Sequence, residues 1–253
     1  LTVTNGFTNV GAIELSSVNA GYAATLTVTN GTLVNGPTGT ITTLVGAGGG
    51  RALNVALDNQ GLVTLNAALT INRASSVHTN SGTIDLVGGN LTVTQSGTTP
   101  SFTNSGTIII PATRTFASGA GVFTNGVSGV VQGAGTFNAT GTTFSDGGTF
   151  SPGGTPTAGA LTFTGAYVQA AAGTLSIELG GTTPGTGYDQ LAISGGATLG
   201  GTLNVTLINA FVPAGFTFNI LTYTGTPVDF TTKNLPPGCT GTPLAGQYQI
   251  SCS

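Results

Sequence analysis

The sequence predicts an all-β fold, a parallel β-solenoid built from short stacked coils. Three observations predict it: a motif that returns every 21–28 residues, period-two alternation inside each copy, and a Thr-, Gly- and Asn-rich composition with only 4% charged residues. A coil of that size cannot bury its apolar face alone. Coils stacked about 4.8 Å apart form parallel sheets around one continuous core.

The motif is N-x-G-x-[IV]-x-[LI]. It reads NVGAIEL at 9–15, NQGLVTL at 59–65, NSGTIDL at 80–86 and NSGTIII at 104–110, with two longer variants, NGPTGTITT at 35–43 and NGVSGVVQG at 125–133. The anchoring glycines are Gly11, Gly39, Gly61, Gly82, Gly106 and Gly129, spaced 28, 22, 21, 24 and 23 residues apart. Two residues before each asparagine stand Phe7, Leu33, Leu57, His78, Phe102 and Phe123. Two after each glycine stand Ile13, Ile41, Val63, Ile84, Ile108 and Val131. Apolar and polar positions alternate there, so each copy contains a short strand with one inward face. Thr, Val, Ile and Gly dominate and no 3.6-residue stripe appears, which excludes helix.

The asparagine column, Asn9, Asn35, Asn59, Asn80, Asn104 and Asn125, has two candidate causes. Asparagine tolerates a left-handed turn conformation, and stacked amides can hydrogen-bond from coil to coil as a structural ladder. The glycines are expected where a sharp turn excludes a Cβ.

The motif fades near GGTFSPGG at 147–154. Strands then lengthen, as in GTLSIEL at 173–179 and GTLNVTL at 201–207, which lie 28 residues apart. The expected organisation is one elongated domain in two parts, repeats over 1–150 and a C-terminal stem or cap over 151–253. Cys239 and Cys252 are the only cysteines. They are expected to form a disulfide, which implies an oxidising, extracellular compartment. Two cysteines are too few for a zinc site.

Composition narrows the function. The 253 residues carry a net charge of −3 and a mean hydropathy of +0.33, with 43 Gly, 11 Pro, no Trp and no Met. Threonine makes up about a fifth of the chain. Four basic residues, Arg51, Arg73, Arg114 and Lys233, cannot neutralise a run of phosphates, so no nucleic-acid partner is expected. No apolar run approaches the roughly 18 residues of a membrane helix, and the alternating runs fall short of the about 9–11 residues of a barrel strand. No membrane span is expected. Weak charge leaves little repulsion between copies and favours association. The chain opens at Leu1 with no methionine or signal segment, so a processed or excised terminus is expected, and its strand-like LTVTNG has no polar cap before it.

Residues 147–224, and in particular SPGGTPTAGALTFTGAYVQAAAGTLSIELGG and GYDQLAISGGATLGGTLNVTLINAF, resemble the C-terminal stem of bacterial autotransporter passenger proteins. The NSGTI coils upstream resemble filamentous-haemagglutinin-like surface repeats. The resemblance covers most of the chain. It implies a right-handed parallel β-helix exported by a bacterium and ending in a stem. It implies no particular activity, because adhesins, proteases, cytotoxins and stalks share the scaffold. Two features depart from it: no membrane barrel follows, and the Cys239–Cys252 pair is foreign to such stems.

No residue pattern announces a chemistry. His78 is the lone histidine, in an otherwise apolar column, and reads as structural. Glu14 and Asp85 share a column three coils apart, roughly 14 Å, too far for a glycosidase pair at about 5–9.5 Å. Asp189, in GYDQL, reads as a turn or coil-edge residue. Arg51 and Arg73 fall at equal offsets from the preceding anchors and would stack, yet their offsets to the next anchors differ by one, which would turn them to opposite faces. GAGGGR at 46–51 lacks the Lys-Ser/Thr ending of a phosphate loop and reads as a plain loop. No acidic calcium loop, HExxH or G-x-S-x-G occurs, so no enzyme activity, metal or cofactor is expected. Lyases on β-helices need clustered Asp, Lys and Arg.

Three functions compete. The first is an exported bacterial cell-surface stalk or fibre subunit whose partner is another copy, joined head to tail into filaments. The second is a monomeric adhesin binding surface glycans or a host surface, with Tyr167, Tyr188, Tyr223 and Tyr248 as candidate contacts. The third is an ice-binding solenoid, suggested by T-x-T triplets at 2–4, 27–29, 92–94, 162–164 and 222–224 that do not recur coil by coil.

Overall fold

The computed structural model describes residues 1–19 and 21–253, and all regular structure among them is strand. Each coil passes through up to three strands. In one central coil these are Leu91–Val93, Ser101–Asn104 and Thr107–Ile110. The first two join a 17-stranded sheet and the third joins a ten-stranded sheet. In earlier coils the first two merge into single long strands, Ala24–Asn35 and Arg51–Asn59. The architecture is a parallel β-solenoid.

Strict register follows from the period-two pattern, because a one-residue slip would turn every apolar side chain outward. In the ten-stranded sheet Val63, Ile84, Ile108, Val131, Phe150, Leu175 and Leu203 align from coil to coil. On the other sheet two aromatic columns run side by side. Phe102, Phe123 and Phe144 stack at 5.3 and 5.8 Å, and Phe116, Phe137 and Phe163 at 4.9 and 5.5 Å. Between the columns the rings meet edge to face, as Phe116 does with Phe123 at 5.6 Å. Each such pair contributes about 0.5–1.5 kcal/mol beyond its burial.

Parallel stacking continues past residue 150, where Phe150 pairs with Leu175. It changes only at the far end. There Thr217–Thr224 pairs antiparallel with Gln247–Cys252, which pairs antiparallel with Cys239–Leu244. The Cys239–Cys252 disulfide closes this hairpin at its open end. Pro243 lies on the outermost strand and has no N–H to offer a further strand.

The anchoring glycines have a different cause from the expected one. None has a left-handed φ. A Cβ on Gly61, Gly82 or Gly106 would instead collide with the carbonyl oxygen of the glycine one coil earlier. Glycine is needed because successive coils approach backbone to backbone at that column. Gly11 is the exception, with open space where its Cβ would stand.

This contrast is testable. Gly82→Ala is expected to destabilise the fold by about 1–3 kcal/mol through overpacking. Gly11→Ala is expected to stay within about 0.5 kcal/mol of the parent. Urea unfolding of the two variants compares them, and equal midpoints would refute the assignment.

Candidate functional site

The most highly organised polar feature is internal. Asn9, Asn35, Asn59, Asn80, Asn104 and Asn125 lie buried in one column. Each donates from Nδ2 to the Oδ1 of the next, at 2.8, 2.8, 2.7, 2.7 and 2.8 Å. The second N–H of each interior amide faces turn carbonyls, as Asn59 does toward Gly61. None of the six has a left-handed φ. The turn conformation is therefore not what selects asparagine; the amide ladder is.

The ladder runs one way, donor toward the C-terminus, and so needs an acceptor at its end. Asp146 supplies it: Oδ1 takes the Asn125 amide at 2.8 Å and Oδ2 takes the Tyr167 hydroxyl at 2.7 Å. Burial pushes the Asp146 carboxyl up to about 6 against the pull of these donors and the Gly148 N–H. Gln169 pairs beside Asp146 and turns its amide onto the carbonyls of Gly173, Gly200 and Thr202. Asp146 and Gln169 escaped the motif. The signal was present at 144–150, where FSDGGTF repeats FTNSGTI with Asp for Asn.

His78 stands in the apolar column, 1% exposed, in register with Phe102. Its Nδ1 accepts the Leu57 N–H at 3.2 Å. Burial, with Arg73 adding to it, lowers its pKa to about 4, so it is neutral at physiological pH. Arg51 and Arg73 do not stack, since the register partner of Arg51 is Leu69. Arg51 is 3% exposed and donates to the carbonyls of Leu44, Val45, Gly48 and Gly49, which folds the GAGGGR run around its guanidinium. Arg73 reaches across coils to the carbonyls of Thr29 and Gly31. Glu14 and Asp85 face outward in one column with Thr42 and Thr64 between them.

Tyr167, Tyr188, Tyr223 and Tyr248, the candidate glycan contacts, are all buried and form no surface cluster. The Tyr223 hydroxyl donates to the carbonyls of Leu244 and Gln247, and that of Tyr248 to Asp229, so both fasten the C-terminal hairpin. Asp229 also takes Lys233 at 2.6 Å, the one ion pair among the described residues. Asp189 stands between the turn at 185–187 and strand Gln190–Thr198, and it does not face water. It is 0% exposed, and its two oxygens take the N–H groups of Gly159 and Glu178 at 2.7 and 2.9 Å. Burial pushes its carboxyl up to about 8 against those two bonds, and the Glu178 charge adds to the rise. Among the described residues no three His, Cys, Asp or Glu side chains converge as a metal set.

One outer face carries an order the triplets did not reveal. On the ten-stranded sheet Ala12, Thr40, Leu62, Thr83, Thr107, Val130, Thr149, Thr174, Thr202 and Thr232 align, so threonine fills seven of ten rungs. Its signal in the sequence is the residue directly after each anchoring glycine.

No family model matches the chain, and no curated protein matches it. The fold is that of β-helix repeat proteins. The disulfide is compatible with an extracellular protein, and no helix among the described residues is long and apolar enough to cross a membrane.

Two measurements probe the column. Asn80→Ala orphans the Asn59 amide and the Asn104 oxygen, and is expected to cost about 2–4 kcal/mol. Asp146→Asn keeps an acceptor for Asn125 and meets a hydroxyl able to accept, so it is expected to cost less than about 1 kcal/mol. Denaturant midpoints rank the two. For His78, the unfolded chain binds a proton between pH 6.5 and about 4 that the folded chain refuses. The contribution of His78 to stability therefore falls as pH falls, opposite in sign to the contributions of Asp146 and Asp189. The loss amounts to about 3 kcal/mol. His78→Phe is expected to remove this contribution, so that its stability relative to the parent rises between pH 7 and pH 4.5, read from the urea midpoints of the two proteins at each pH.

Proposed function

We propose that the chain is a structural segment of an exported bacterial surface protein, a stalk or fibre subunit that joins its own copies end to end. The observation that carries this reading is the unbroken parallel stack, in which the buried polar groups are spent on holding coil to coil. Asn9 through Gln169 form structural bonds, Arg51 is saturated by carbonyls, and His78 sits neutral in the core. An elongated, sparsely charged, internally stapled rod suits a spacer.

End-to-end association draws support from both ends of the stack. The first coil carries an apolar groove of about 470 Å3 lined by Leu1, Phe7, Ile13, Leu15 and Leu26, which a further coil of the same chain or a second copy would cover equally. At the other end Thr232–Asn234 pairs only with Thr202–Asn204, which leaves the edge of Val205–Leu207 free. The resemblance to autotransporter and filamentous-haemagglutinin-like repeats and the disulfide both agree with an extracellular place.

A second reading, a face that binds ice, is favoured by the threonine column alone. Its rungs repeat at about 4.8 Å, but Ala12, Leu62 and Val130 interrupt the hydroxyls and the adjacent outward column mixes Glu14, Thr42, Thr64, Asp85 and Ile109. One regular column is a weaker lattice match than two. Thermal hysteresis in the purified protein would favour this reading over the stalk.

Negative-stain electron microscopy over a concentration series tests the main proposal. The expected result is fibres that lengthen with concentration. Isolated short rods at every concentration would overturn self-assembly and leave a monomeric spacer.

A further inference from the structure

We propose that Asp146, Tyr167 and Gln169 form a proton switch at the C-terminal end of the asparagine ladder, which takes up one proton in acid and turns the Tyr167 hydroxyl from Asp146 to Gln169. All three side chains are buried. In the charged state three donors converge on the Asp146 carboxylate. Asn125 Nδ2 and the Gly148 N–H meet Oδ1 at 2.8 and 3.1 Å, and the Tyr167 hydroxyl meets Oδ2 at 2.7 Å. The Gln169 amide is fixed in orientation, because its Nε2 donates to the carbonyls of Gly173, Gly200 and Thr202. Its Oε1 is thereby left facing the Tyr167 oxygen at 3.4 Å. That is too long for a full O–H···O bond while the hydroxyl points at Asp146.

A proton on Asp146 Oδ2 reverses this short chain without orphaning a group. Oδ2 then donates to the Tyr167 oxygen, and the Tyr167 hydroxyl donates to Gln169 Oε1, while Oδ1 still accepts from Asn125 and Gly148. No bond between heavy atoms forms or breaks, and the proton comes from water. Both forms keep every buried polar group paired, as burial demands. The groups facing the carboxyl are Asn125 from the coil before, Tyr167 and Gln169 from the coil after, and Gly148 of its own turn. Phe144 and Phe150 flank the Tyr167 ring at 5.6 and 5.4 Å. No cation or second carboxylate perturbs the site. Burial pushes the Asp146 carboxyl up to about 6 against its three donors, and burial also keeps Tyr167 a protonated hydroxyl. Between about pH 6 and pH 3.8 the folded chain therefore binds a proton that the unfolded chain refuses, and the Asp146 contribution to stability rises as pH falls. The joint between the ladder and the coils that follow it tightens in acid.

The inference holds whether or not the chain polymerises. Infrared titration of the full chain, compared with the same titration of Asp146→Asn, reads the protonated carboxyl directly. The expected result is a carboxylic C=O band that appears with a midpoint at about pH 6 in the parent and is missing from Asp146→Asn. Urea unfolding supplies a second reading: between pH 7 and pH 5 the unfolding constant of the parent is expected to fall about tenfold relative to that of Asp146→Asn. Gln169→Leu removes the acceptor for the turned hydroxyl and is expected to move the midpoint of the band to lower pH, whereas an apolar replacement beside a carboxyl that merely suffers burial would move it up. Absence of the band from the parent overturns the proposal, as does a ratio of unfolding constants that stays fixed with pH. A midpoint that stays or rises in Gln169→Leu overturns the turn of the hydroxyl. Should Gln169→Leu fail to fold, the first two readings decide.

Discussion

The direction of the amide ladder is the constraint on which the rest of the structure depends. A primary amide has donors on one side and an acceptor on the other, so a column of asparagines is polar along its length. Every coil must present its Oδ1 to the coil before it and its Nδ2 to the coil after it. That requirement holds the coils at one spacing and one register, and the aromatic columns and glycine contacts inherit both. It also forbids an abrupt end, since the last amide would leave a buried donor unsatisfied at about 1–3 kcal/mol. Asp146 resolves this as an acceptor-only residue, and Tyr167 fills its remaining oxygen.

Charge is scarce throughout the chain, at 4% of residues. The few charges that occur are mostly consumed internally. Arg51 folds a loop around itself, Arg73 clasps a neighbouring coil, and Asp189 ties a cover segment to the end of a strand. Glu178 is the departure from this economy, buried without a donor for one oxygen.

The same economy shapes the functional reading. A binding protein or enzyme gathers polar groups at a concave surface, whereas this chain places its most organised groups along the interior axis. The four tyrosines that might have formed a glycan platform serve the core and the terminal hairpin. A rod of stacked coils with a stapled hairpin at one end is suited to carrying load or spacing, and its sheet edges suit it to meeting further strands.

Period, alternation and composition alone determined the stacked coils, their inward columns and the asparagine column, because a repeat that buries one face has only a few ways to stack. The paired cysteines lay close enough in sequence for the hairpin disulfide to be anticipated. Three things were decided only in three dimensions. Asparagine and glycine recur for contacts between coils, amide to amide and backbone to backbone, and such contacts leave no trace within a single coil. Arg51 and Arg73 diverge because loops between strands differ in length, so equal sequence offsets do not mean equal rungs. Glu178 and Asp189 meet because the 153–159 segment folds back over a face that alternation assigns to solvent. Alternation reports which way a strand residue points, while what lies above it depends on a distant stretch of chain.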